Sequence, residues 1–181
     1  MSEENRKAIR ISVRNLVEFV LRSGDIDNRR SGNAQKDAML AGGRIHRKIQ
    51  KRMGSGYRAE VPLKHEVQDE EQEITLLVEG RADGIFTENG IPVIDEIKGM
   101  YTDISRLEEP IEVHLAQAMC YGYFYCCDKD LDGIRLQMTY CNLETEEIKR
   151  FQTERSREEL ETWFSSVVHE YFKWARYLYH H

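Results

Sequence analysis

Three residues have side chains whose types and spacing could do chemistry together: Asp83, Glu96 and Lys98. The reading starts at Asn89-Gly90, because a two-residue type I′ turn needs positive φ at both central positions and this dipeptide is its strongest signal. Counting back from the turn pairs Glu88 with Ile91, Thr87 with Pro92, Ile85 with Ile94 and Asp83 with Glu96. Opposed residues have Cβ atoms about 4.5–5.5 Å apart, so two carboxylates there repel unless something positive lies between them. Side chains alternate along a strand, which puts Lys98 on the face of Glu96. Carboxylate oxygens suit magnesium or manganese better than zinc, and magnesium takes one or two carboxylates with water and substrate phosphate in its other positions. With a lysine to orient water or neutralise developing charge, the chemistry that fits is phosphodiester hydrolysis. An Asp followed by Glu-x-Lys also fits a plain surface ion pair, and Pro92 signals a bulge or an edge that would shift the register.

The elements that must position these residues follow from periodicity. Residues 9–13 alternate as a short strand, and 14–22 carry Leu16, Val17, Val20 and Leu21 at helical spacing. Ser23 to Asn33 reads as a loop before a helix over about 34–53, with an apolar stripe of Ala38, Ala41, Ile45 and Ile49. The same helix carries a basic face of Arg44, Arg47, Lys48, Lys51 and Arg52. Strands over about 57–68, 74–87 and 91–98 predict an antiparallel meander, followed by a helix over about 111–127 and strands near 133–141 and 145–152. Ser156-Arg157-Glu158-Glu159 has the form of a capping box and opens a final helix over about 156–179, through Trp163, Phe164, Val167, Tyr171 and Trp174. That helix ends at Tyr179-His180-His181 without a Gly or Pro cap, as a piece cut from a longer polypeptide would, or as a fraying end does. The fold class is α/β: a central mixed sheet flanked by the 34–53 and 111–127 helices, with extra C-terminal strands and a long terminal helix. One domain, 1–181, is expected, with its core over about 34–152.

Composition narrows the classes. With 181 residues, 40% hydrophobic and 32% charged, the chain can bury a core without disulfides or structural metals. It has neither an apolar run of about 18 residues nor a basic start followed by an apolar stretch, so a cytoplasmic protein with no membrane partner is expected. Net charge of −6 excludes whole-surface attraction to nucleic acid and leaves only local basic patches for that purpose. Cys120, Cys126, Cys127 and Cys141 crowd one region without a CxxC pair, which predicts buried reduced thiols.

Taken together, the residues resemble the RecB-like exonuclease branch of the PD-(D/E)XK nuclease superfamily, over about residues 40–125. Gly43-Arg44-Ile45-His46 is similar to its Gly-x-x-His helix, Glu79 to Ile85 to its Gly-x-x-Asp strand, Asp95-Glu96-Ile97-Lys98 to its Glu-x-Lys strand, and Gln117 with Tyr121 to its Gln-x-x-x-Tyr helix. Ala82 stands where the superfamily's nominal signature has proline, a replacement common in this branch. The resemblance implies a restriction-endonuclease-like core and a divalent-metal-dependent deoxyribonuclease, an exonuclease acting in DNA repair. It implies Mg2+ or Mn2+ held by His46, Asp83, Glu96 and the main-chain carbonyl of Ile97, with Lys98, Glu96 and Asp83 catalytic and Gln117 and Tyr121 binding substrate. Glu60 resembles a supporting acid of the branch, and a solvent-facing glutamate fits it equally; His114, one turn before Gln117, reads as a surface residue. Of Tyr121, Tyr123, Phe124 and Tyr125, any could stack on bases, with core packing expected of most. Some relatives hold an iron–sulfur cluster through one cysteine upstream of the core and three downstream; no cysteine here precedes Cys120, so no iron–sulfur cluster is expected. The expected partner is DNA, with a fused or associated helicase handling the duplex. Two other readings stay open: a catalytically silent PD-(D/E)XK nucleic-acid-binding module within a helicase or repair complex, and a different metal-dependent hydrolase or simple ion-pair cluster in an α+β domain.

Overall fold

The structure, a computed structural model, describes residues 7–22, 32–71 and 73–180. Its elements are β1 (Lys7–Ser12), α1 (Val13–Arg22), α2 (Gly32–Arg52), β2 (Arg58–Asp69), β3 (Ile74–Glu88), β4 (Ile91–Met100), α3 (Glu112–Lys129), β5 (Gly133–Asn142), β6 (Ile148–Ser156) and α4 (Arg157–His180). The loop expected before α2 falls largely outside the described residues, as do the side chains of Ala38 and Ala41. β2, β3 and β4 form the expected antiparallel meander. β4 then runs parallel to β5 across the α3 crossover, and β5 pairs antiparallel with β6. β1 joins the first half of β3 in parallel, completing a mixed six-stranded sheet. Strand six begins later than its sequence pattern suggests because Asn142 Oδ1 accepts the N–H groups of Glu144 and Thr145, and Glu146 adopts φ 61°, so the chain turns through 142–147 before pairing resumes.

Helices cover both faces. α1, α3 and α4 close one face around a core that includes Leu16, Leu76, Val78, Ile94, Phe124, Leu136, Leu160 and Phe164. α2 lies on the other face, where Ile45 and Ile49 meet Ile97 of β4 and Cys141 of β5. Cys120, Cys126 and Cys141 are buried free thiols; Cys127 is partly exposed. Among the described residues, no helix is long and apolar enough to cross a membrane.

The capping box at the start of α4 is formed as its sequence predicts: Glu159 N–H donates to Ser156 Oγ at 3.0 Å, and Ser156 N–H donates to Glu159 Oε1 at 3.3 Å. It anchors the helix that delivers Leu160, Phe164, Val167 and Phe172 to the core. Ser156→Ala is expected to cost about 1 kcal/mol, read as a lower urea midpoint at unchanged slope.

Candidate active site

The hairpin that begins the argument is formed: Asn89 and Gly90 adopt φ of 52° and 80°. Glu88 pairs with Ile91, Thr87 with Pro92 and Ile85 with Ile94. Pro92 does not disturb this register, because it precedes the first β5 pair, Val93 with Arg135, and has no strand on that side to bond. One detail differs from the sequence expectation. The β3–β4 ladder ends at Gly84 and Asp95, one step before Asp83 and Glu96, and the two strands fork. Asp83 and Glu96 instead bond across the fork: Ile97 N–H donates to Asp83 Oδ2 at 2.7 Å, and Asp83 N–H donates to Glu96 Oε1 at 3.2 Å.

Alternation along β4 sends Ile94, Glu96 and Lys98 toward α3, and Asp95 and Ile97 toward α2. β3 does not keep its alternation. Gly80 meets Tyr121 of α3, whereas Gly84, four residues on, meets Tyr57, whose partner Asp95 faces the other way. Ala82 and Ile85, an odd number apart, also share one core. The pleat therefore slips by half a period around Asp83, opposite Glu60, a non-glycine residue at φ 54°. Gln50 of α2 braces this slip by donating to Asp83 O at 2.8 Å and Glu60 Oε1 at 3.0 Å. The side chain of Glu60 is otherwise exposed.

Through the fork, residues from both layers meet. His46 reaches in from α2, with Nδ1 3.3 Å from Asp83 Oδ1. From the other side Gln117 of α3, 5% exposed, accepts from Lys98 Nζ at 2.6 Å, and the same ammonium stands 4.0 Å from Glu96 Oε2. The carboxyl of Glu96 is held well above its ordinary pKa, first by burial and second by the charge of Asp83, against the opposing pull of Lys98. Tyr121 is 7% exposed; its hydroxyl accepts the Arg81 N–H and fills the space where a Gly80 Cβ would stand, 2.5 Å away. It thus forms the wall of the site. Tyr123 and Phe124 are buried, and Tyr125 receives a hydrogen bond from Arg58 at 2.8 Å. His114, expected at the surface, is instead partly buried, its Nδ1 3.0 Å from Tyr140 Oη, because the first turn of α3 lies over β5. Burial, then the charges of Lys98 and Arg14, push its pKa down to about 3.

A divalent cation fits this donor chemistry. Two carboxylates, one buried and destabilised by the other, gain from positive charge, and an imidazole nitrogen completes a usable set. Neighbouring ligands of an octahedral ion with bonds of about 2.1 Å lie about 3 Å apart, near the 3.3 Å between His46 and Asp83. Among the described residues, no three His, Cys, Asp or Glu side chains already surround a common point; Glu96 is turned to the Asp83 N–H and Lys98.

Sequence reasoning missed the neighbouring network on the α2 face. Asp95, 0% exposed, accepts from Tyr57 Oη at 2.6 Å, Thr139 Oγ1 at 2.6 Å and Gln137 Nε2 at 3.1 Å, and Gln152 Nε2 donates onward to Gln137 Oε1 at 2.7 Å. Burial raises the Asp95 pKa above the usual carboxylate value, and the three hydrogen bonds oppose that rise. The available signal was the acid pair Asp95-Glu96 in a strand apolar on either side, since adjacent strand residues point to opposite faces and both faces are covered.

No protein-family model matches the chain, and no curated protein does. Solved structures do. The crystal structure of an alkaline exonuclease, LHK-Exo, from Laribacter hongkongensis aligns over 94% of this chain and 92% of that one, with a TM-score of 0.48 and 14% identity. The crystal structure of SSO0001 aligns over 93% of this chain and 77% of that one, with a TM-score of 0.56 and 17% identity. What this chain and SSO0001 share is the fold, a mixed sheet with helices on both faces.

Proposed function

We propose that the chain is a divalent-metal-dependent DNA nuclease of the PD-(D/E)XK type, of the RecB-like branch and exonucleolytic in action. The observation that supports this reading is the fork itself, a chain of neighbours in which His46 lies 3.3 Å from Asp83, the Asp83 N–H donates to Glu96, and Lys98 stands 4.0 Å from Glu96. His46, Asp83, Glu96 and the Ile97 carbonyl would hold Mg2+ or Mn2+. When bound, such an ion supplies Lewis acidity toward a phosphoryl oxygen and toward water. The chain's own groups do the rest. Asp83 and Glu96 would supply the negative charge that holds the ion, Lys98 offers N–H donors to the attacking water or the developing phosphorane charge, and Gln117 holds Lys98 in place.

The test incubates the protein with linear and circular, single- and double-stranded DNA in magnesium, manganese or chelator. The expected result is metal-dependent loss of linear DNA with survival of circles. Loss of circles would replace the exonuclease reading with an endonuclease one. Binding of DNA with no cleavage under any metal would leave a silent binding module, and neither binding nor cleavage would remove the nuclease reading.

A further inference from the structure

We propose that His114 contacts the substrate directly, as a fixed imidazole whose Nε2–H donates to a phosphate oxygen of the nucleic-acid strand beside Lys98. This rests on the nuclease reading above. Tyr140 is 0% exposed, and its hydroxyl oxygen receives the Ile111 N–H at 3.0 Å while lying 3.0 Å from His114 Nδ1. A buried hydroxyl proton needs an acceptor, and the imidazole nitrogen is the one in reach. Nδ1 therefore accepts, and the ring's own proton sits on Nε2. Among the described residues, no buried side-chain nitrogen or oxygen lacks a partner. Among the described residues Nε2 of His114 has no partner, so this nitrogen is not sealed inside the core.

The opening belongs to the same site. His114 lies one turn before Gln117, the residue that accepts from Lys98, and Lys98 is the register neighbour of Tyr140. The cations whose charge reaches the ring are Lys98 of β4 and Arg14 of α1; Lys98 stands 4.0 Å from Glu96 Oε2, and Arg14 is paired with Glu18 at 3.2 Å. An uncharged N–H donor close to the Lys98 ammonium suits an anion rich in acceptor oxygens, which on a nucleic-acid strand is phosphate. With Tyr140 fixing the ring, the contact sets where the strand lies relative to Lys98. The phosphate is either an internal phosphodiester or a terminal phosphomonoester.

The experiment measures binding of labelled single-stranded oligonucleotides in chelator by fluorescence anisotropy, and KM and kcat in manganese, for wild type, His114→Phe and His114→Gln. His114→Phe keeps the ring and removes the donor; its Kd is expected to rise about tenfold. His114→Gln places an N–H near the Nε2 position and is expected to restore most of that loss, which a packing role would not do. Oligonucleotides carrying one uncharged methylphosphonate linkage, or lacking a 5′-phosphate, locate the contact: the change that weakens wild type but not His114→Phe marks the phosphate. His114→Phe binding as wild type does, or His114→Gln binding as weakly as His114→Phe, would overturn the proposal and leave the nuclease reading intact. Wild type that neither binds nor cuts would overturn both.

Discussion

Asp83→Asn is expected to lower the metal-dependent cleavage rate about a thousandfold while raising the melting temperature of the metal-free protein. The substitution is isosteric: the amide oxygen can still accept the Ile97 N–H, now at 2.7 Å from Asp83 Oδ2, and the amide N–H can meet His46. What disappears is a negative charge beside buried Glu96. Folding raises the pKa of Glu96, so the stability linked to this carboxyl is complete below its unfolded value of about 4.3 and is lost as pH rises through the folded value. Above that value Glu96 is charged and the two groups repel, and removing Asp83's charge is expected to gain about 1 kcal/mol; below it Glu96 is neutral and the gain vanishes. Thermal melts of both proteins in chelator across the whole pH range in which the wild type is folded, with cleavage assays in manganese, check this. A variant equally stable or weaker at every pH would show that the repulsion does not burden the fold.

Asp95→Ala is expected to cost about 3–5 kcal/mol of stability. The carboxylate is the acceptor for three donors from two parts of the fold: Tyr57 before β2, and Gln137 and Thr139 on β5. Deleting it strands those donors in a place water does not reach, and it frees Tyr57, which packs against Gly84 so closely that a Cβ there would lie 1.8 Å from the ring. Asp95→Asn keeps an acceptor and is expected to cost less than half as much. Urea unfolding of the three proteins measures the difference. A loss under about 1 kcal/mol for Asp95→Ala would mean that the network is dispensable.

The parts of the fold that were legible in the sequence are those fixed by local chemistry. Asn89-Gly90 specified a turn, the turn specified a register, and the register brought Asp83 and Glu96 to adjacent positions. Ser156 and Glu159 likewise announced the start of α4. The fork was not legible. It arises because β4 leaves β3 to run beside β5, and because the pleat of β3 slips where Glu60 takes a left-handed conformation, which no residue type there announces. His114 was misread for a related reason: its partner Tyr140 is 26 residues away, and only the α3 crossover brings the two together.

Among the described residues, α2 meets the sheet through Ile45 and Ile49 against Ile97 and Cys141, whereas the opposite face closes over a far larger core. Segments with few buried apolar contacts open at low free energy, so the amides around Ile45 and Ile49 should exchange with deuterium before those of α3. Among the described residues, the polar links that tie this helix down include Gln50 to Asp83 and Glu60, His46 to Asp83, and the exposed pair of Lys48 and Glu146. Docking of α2 and assembly of the centre are thus one equilibrium, and any cation gripped by His46 and Asp83 also clasps the helix to the sheet.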